Sequence, residues 1–162
     1  MMFKTFAMAA MVVASSAASA VTTNWGVHGP LEFGGDFVLG ANTPIDDTYT
    51  FTLPDPSDLI AVSVANNGGV ASLINMQVSL FEVGDANALG TFSFGSTATT
   101  FDFGALAAGN YYYEVTGAVA PTAVGGSYQI NSTLAAVPEP ESYALMIAGL
   151  AAVGFVARRR RG

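Results

Sequence analysis

The sequence has 162 residues, of which 51% are hydrophobic, carries a formal charge of −7 and contains no cysteine. That length fits one ordinary domain with short appendages, and the missing cysteine excludes disulfides, thiol nucleophiles and thiolate metal sites. All five basic residues lie at the ends, Lys4 near the start and Arg158, Arg159, Arg160 and Arg161 at the finish. Everything between lacks the amine for Schiff-base chemistry and the guanidinium of a phosphate clamp. Ten of the twelve acidic residues fall between Val21 and Ala136, a charge that repels nucleic acid and anionic membranes. Walker A, H-E-x-x-H and G-x-S-x-G patterns are all missing, so the sequence points to no cofactor other than a candidate calcium ion.

Residues 1–20 read as a secretory signal peptide. Lys4 is its basic n-region, Phe6–Ala14 an apolar core too short to span a bilayer, and Ala18-Ser19-Ala20 a small-residue cleavage site. Cleavage after Ala20 during Sec-dependent export leaves Val21 as the new N-terminus. His28 follows, the sole histidine, beside Trp25, Gly26, Gly29 and Pro30. It reads as a surface loop residue, and any base-assisted serine mechanism would have to use it.

From there to Ala136 the period is two. A strand is expected around Leu31–Leu39. Tyr49, Phe51 and Leu53 alternate with threonines, Ile60, Val62 and Val64 with Ala61, Ser63 and Ala65, and Ile74, Met76, Val78 and Leu80 with Asn75, Gln77 and Ser79. Each set predicts one apolar face on a strand. Further strands are expected at Thr91–Phe94, Thr99–Phe103, Asn110–Thr116 and Ser127–Leu134, separated by Asn, Asp, Gly and Pro turns. Seven or eight such strands favour an all-β, antiparallel β-sandwich, jelly-roll-like or similar. Phe92, Phe94, Phe101 and Phe103 read as core.

Two groups of side chains in this domain could contact a ligand. Asp36, Asp46, Asp47, Asp55 and Asp58 are bunched in turn-rich sequence, and loop carboxylates are what calcium takes. The plain alternative is solvated turn aspartates, with Asp47 satisfying backbone donors at the start of the Thr48–Leu53 strand. Tyr111, Tyr112 and Tyr113 run consecutively, so alternation must send at least one to the opposite face. Tyr112 is therefore a candidate glycan contact, or else a cross-strand packing residue.

At the far end, Tyr143–Ala157 is an uncharged apolar run abutting Arg158–Arg161. As a helix it would be about 22 Å long, short of the roughly 30 Å hydrocarbon core. The arginines stay cytoplasmic, so the acidic domain lies on the other side and the segment acts as a stop-transfer signal.

Pro138-Glu139-Pro140, the apolar run and the terminal arginine cluster together resemble the PEP-CTERM sorting signal. The resemblance implies recognition by exosortase, a membrane-embedded transpeptidase, with cleavage near the Pro-Glu-Pro and release or attachment at the cell surface. It also implies a Gram-negative producer of exopolysaccharide or floc matrix. Ile45-Asp46-Asp47-Thr48-Tyr49 resembles the motif of the FxDxF family of PEP-CTERM proteins. Asp47 stands at that family's aspartate, and Ile45 and Tyr49 stand where it has phenylalanines. Leu106–Gly117 with Gly125-Gly126-Ser127-Tyr128 resembles that family's closing hairpin. A similar strand entry occurs in sandwich domains appended to secreted bacterial peptidases. Neither resemblance implies an enzymatic activity.

The sequence thus divides into a signal peptide (1–20), an acidic sandwich (21–136) and a sorting signal (137–162). The expectation is a non-enzymatic surface or matrix protein of exopolysaccharide and biofilm. Its partners would be the Sec machinery, exosortase and, transiently, the inner membrane, with the C-terminus cytoplasmic before processing. The alternative is a glycan- or calcium-binding sandwich module.

Overall fold

Residues 19–136, 145–151 and 153 are described by the computed structural model. The first span forms nine strands: β1 Thr22–Val27, β2 Leu31–Leu39, β3 Pro44–Leu53, β4 Ser57–Asn66, β5 Leu73–Glu82, β6 Gly90–Ser93, β7 Thr99–Leu106, β8 Gly109–Val119 and β9 Gly125–Ala136. One sheet runs β1-β3-β8-β5-β6 and the other β2-β9-β4-β7. Their inner faces share one core, which makes the fold sandwich-like.

Three expectations need correction. The sandwich is mixed rather than wholly antiparallel, because β1 lies parallel to β3, pairing Thr22 with Thr48 through to Val27 with Thr52. This ninth strand has no alternating apolar pattern to announce it: its sequence is TTNWGV, with a register shift between Asn24 and Gly26. The stretch resembling a closing hairpin is split, since β8 belongs to the first sheet and β9 to the second.

The third correction concerns faces. Ile60, Val62 and Val64 turn outward, half-buried, while Leu59, Ala61, Ser63 and Ala65 face the core. The reason is volume. Tyr49, Tyr113 and Tyr128 are all essentially fully buried between the sheets, and close packing leaves room for only small side chains along most of the central strand β4. On β5, Asn75 adopts φ 55° within a bulge between Ile74 and Gln77. An extra residue at a bulge reverses the alternation, so Leu73 is buried, Ile74 exposed, and Met76, Val78 and Leu80 buried. The other alternations hold: Tyr49, Phe51 and Leu53 point in, as do Tyr111 and Tyr113, with Tyr112 on the outer face.

Beyond β9, residues 145–151 are helical, with Leu145, Met146, Ile147 and Leu150 exposed, as is Val153. Among the described residues no helix is long and apolar enough to cross a membrane. The rest of the apolar run expected at Tyr143–Ala157 lies outside the described residues. So do the signal peptide through Ala18, the Pro138-Glu139-Pro140 motif, and Arg158, Arg159, Arg160 and Arg161.

Candidate functional site

Two polar clusters cross the core from one sheet to the other, both anchored on inward positions of β9. In the first, Asp47 on β3 is fully buried. One of its carboxylate oxygens accepts the Val21 backbone N–H at 2.7 Å, and the other accepts the Tyr128 hydroxyl. Tyr128 has one proton and gives it to Asp47, so its oxygen accepts from the Tyr49 hydroxyl at 2.8 Å. Tyr49 reaches this position because its ring lies over Gly34 on β2, where a Cβ would come within 2.5 Å of it. Burial pushes the Asp47 carboxyl above its ordinary range, the hydrogen bonds from Tyr128 and Val21 oppose that shift, and Asp36 and Asp46 add to it. Burial likewise raises the phenols of Tyr49 and Tyr128.

The three motif positions are therefore interior: Ile45, Asp47 and Tyr49 are each at most 2% exposed. Asp47 does satisfy a backbone donor, though the donor is Val21 on the approach to β1 rather than a residue of its own strand.

In the second cluster, His28 is only 4% exposed, which corrects its reading as a surface loop residue. Its backbone N–H extends the β1 pairing to the Thr52 carbonyl at 2.9 Å, and this draws the ring inward. The ring lies edge-on to Phe51 at 4.9 Å and to Trp25 at 5.8 Å. Nδ1 lies 2.6 Å from the Gly29 carbonyl, which can only accept, so Nδ1 carries the proton. Nε2 then accepts from the Ser132 hydroxyl at 2.8 Å, and that oxygen accepts from the Tyr113 hydroxyl at 2.9 Å. Burial holds the imidazole below its usual range, outweighing the Gly29 hydrogen bond and the Glu32 charge. The chain Tyr113–Ser132–His28–Gly29 is complete, with every donor used.

A histidine 2.8 Å from a serine is the pairing that activates a hydroxyl nucleophile. Here Ser132 is fully buried and the partner of Nδ1 is a backbone carbonyl instead of a carboxylate. Sequence reasoning missed Ser132 and Tyr128. The available signal was polar side chains on the core-facing phase of β9, where Tyr128, Ile130 and Ser132 alternate.

The carboxylates considered for calcium do not converge. Asp36 Oδ1 accepts the Phe37 N–H and Oδ2 accepts the Ser19 hydroxyl. Asp46 is exposed on β3, Asp55 is exposed in the turn before β4, and Asp58 lies on β4. Among the described residues no group of three or more His, Asp or Glu side chains could hold a metal ion.

On the outer surfaces, Tyr112 is half-buried and stacks on its cross-strand neighbour Phe81, with centroids 5.0 Å apart and planes 10° apart. The second sheet presents a more open feature. On its edge strand β2, Leu31, Phe33, Phe37 and Leu39 all point to solvent, the two phenylalanines 66% and 63% exposed. Beside Phe37 runs a cleft of about 760 Å³, with Asn66, Ser96, Ser127 and Gln129 among its lining residues. Asn67, also in its wall, is occupied in holding both the N–H and the carbonyl of Leu73.

Comparison with known proteins bears on two parts of the chain. Residues 136–161 match the PEP-CTERM protein-sorting motif, which implies an exosortase-sorted extracellular protein. No curated protein matches the chain. Among solved structures, the fold is similar to the pre-peptidase C-terminal domain of a collagenase from Bacillus anthracis. That match has 17% identity and a TM-score of 0.51, covering 69% of this chain and 94% of that one. A periplasmic inhibitor of g-type lysozyme from Aeromonas hydrophila aligns at 15% identity and a TM-score of 0.45, covering 72% of this chain and all of that one. At this identity the collagenase domain supports the sandwich architecture alone. The sorting motif begins at Ala136, the residue on which β9 ends, so sandwich and sorting signal are continuous.

Proposed function

We infer that the chain is a non-enzymatic surface or matrix protein that folds into its acidic sandwich after export and is retained in the exopolysaccharide around the cell. The observation that carries this reading is the sorting motif at residues 136–161, joined directly to the last strand. Before processing, the apolar segment sits in the inner membrane with Arg158–Arg161 on the cytoplasmic side. The short helix suits a segment that need hold its substrate only until exosortase cuts. A sandwich with ten acidic residues and no lysine or arginine between Val21 and Ala136 stays soluble in a hydrated matrix and resists binding to nucleic acid and anionic lipid. The buried, fully hydrogen-bonded state of Ser132 and His28 supports a structural role for that pair.

The test is to replace Arg158–Arg161 with glutamine and follow the protein by cell fractionation. The expected outcome is translocation of the tail and loss of surface sorting; unchanged sorting overturns the topology.

A second reading rests on the cleft beside Phe37. An exposed aromatic ring next to amide and hydroxyl side chains is the chemistry that binds a sugar, with the ring under its apolar face and the polar groups on its hydroxyls. Glycan-array binding that is lost in Phe37→Ala and kept in Tyr112→Ala would assign recognition to the second sheet. The reverse pattern would assign it to Tyr112, and no binding in the unaltered protein would leave the matrix reading alone.

A further inference from the structure

We propose that the mature N-terminus is itself a docked group, the α-ammonium of Val21 forming a salt bridge with the buried carboxylate of Asp47. The inference rests on the reading of residues 1–20 as an export signal cut after Ala20. Hydrolysis of the Ala20–Val21 bond consumes one water. It leaves a carboxylate on the departing Ala20 and converts the Val21 amide nitrogen into an amine that is protonated at neutral pH.

That nitrogen already lies 2.7 Å from Asp47 Oδ1. It is held there by strand register, because the Val21 carbonyl accepts the Thr48 N–H at 2.8 Å and β1 then continues parallel to β3. Cleavage therefore places a positive charge where the strand register already holds the nitrogen beside Asp47.

Among the described residues the carboxylate has no other countercharge. Asp36 on β2 and Asp46 on β3 add like charge around it, and Tyr49 and Tyr128 offer only hydroxyls. The sequence has no lysine or arginine from residue 5 to residue 157 to supply a cation, and His28 is engaged at the other cluster. A buried carboxylate among other acids is held by a paired cation or not held well at all.

Cleavage also removes three hydrogen bonds of Ser19: to the Pro44 carbonyl, from the Asp46 N–H, and to Asp36. Pro44 and Asp46 are exposed and Asp36 is partly so, so water replaces these bonds, whereas Asp47, fully buried in the uncut chain, keeps Tyr128 and the Val21 nitrogen as partners. Signal removal thus completes the fold and ties full stability to export.

The sequence makes this directly testable. Lys4 is its one lysine, so after cleavage the α-amino group is the one primary amine from Val21 to Gly162. The exported protein is purified from the producing cell, sequenced from its N-terminus and treated with an amine-acylating reagent, folded and in urea. The expected N-terminus is Val21, with acylation slower in the folded protein by about tenfold or more, since pairing raises the amine's pKa and only the free base reacts. Asp47→Asn should restore fast labelling. To separate charge from hydrogen bonding without altering the core, the unfolded protein is acetylated at Val21 and refolded. The acetyl amide keeps an N–H and loses the charge, and the Tm should fall by about 5 °C. A start at Ser19, or at any residue other than Val21, overturns the proposal together with the cleavage reading. A start at Val21 with equal labelling folded and unfolded, or an unchanged Tm on acetylation, overturns the docking and leaves the export reading intact.

Discussion

The Asp47 and His28 clusters look alike in construction and differ in what they lack. Each sits between the sheets, each uses an inward side chain of β9, and each ends near β1. The His28 cluster is neutral and self-sufficient: two hydroxyls, one imidazole and one backbone carbonyl satisfy one another. The Asp47 cluster carries a charge its own side chains do not neutralise, and its remaining partner is the first residue expected after the export signal. A neutral hydrogen-bonded chain can lock a core from the start of folding, whereas a buried charge waits for its counterion. The same strand therefore carries one permanent lock and one that depends on processing.

The most severe way to break the contrast is Asp47→Ala, which leaves the Val21 nitrogen and the Tyr128 hydroxyl without their acceptor. Removing one member of a buried charged contact costs about 3–5 kcal/mol, read as a lower urea midpoint with unchanged slope. Ser132→Ala is expected to cost less, about 1–3 kcal/mol, because Tyr113 and His28 each lose one neutral partner. Equal losses in the two variants would remove the distinction between the clusters.

The smallest effect is the pH dependence that His28 contributes. Its imidazole titrates below the ordinary value near 6.5 when folded. Below that value the unfolded chain therefore takes up a proton that the folded chain refuses. The stability held by neutral His28 is complete above about pH 6.5 and declines as pH falls toward the depressed folded value. Thermal melts from pH 7.5 to 5 should show this decline in the parent and a shallower one in His28→Gln, whereas parallel profiles would show that the buried ring does not titrate as described.

Much of this architecture was legible from alternation alone. Leu31–Leu39 was expected as a strand and is β2 with the same bounds, and the Tyr111–Tyr113 run divides between faces as period two requires. Alternation says that two faces differ without saying which is inside. On β4 the larger side chains lost the interior because tyrosines from both sheets already fill it. On β2, Phe33 and Phe37 face solvent while Gly34 and Asp36 face in, since the interior phase of that strand must make room for the Tyr49 ring. The β1 strand was hidden because a parallel edge strand needs register more than pattern. With β1 unseen, His28 had no reason to be buried and Asp47 no reason to meet Val21. The candidate site was thus legible as residue types and illegible as contacts.

If the sandwich is bounded by two processing signals, the intact mass of the exported protein corresponds to a chain that starts at Val21 and ends close to Pro138-Glu139-Pro140. A mass that retains residues 1–20 or extends through Gly162 rules that arrangement out.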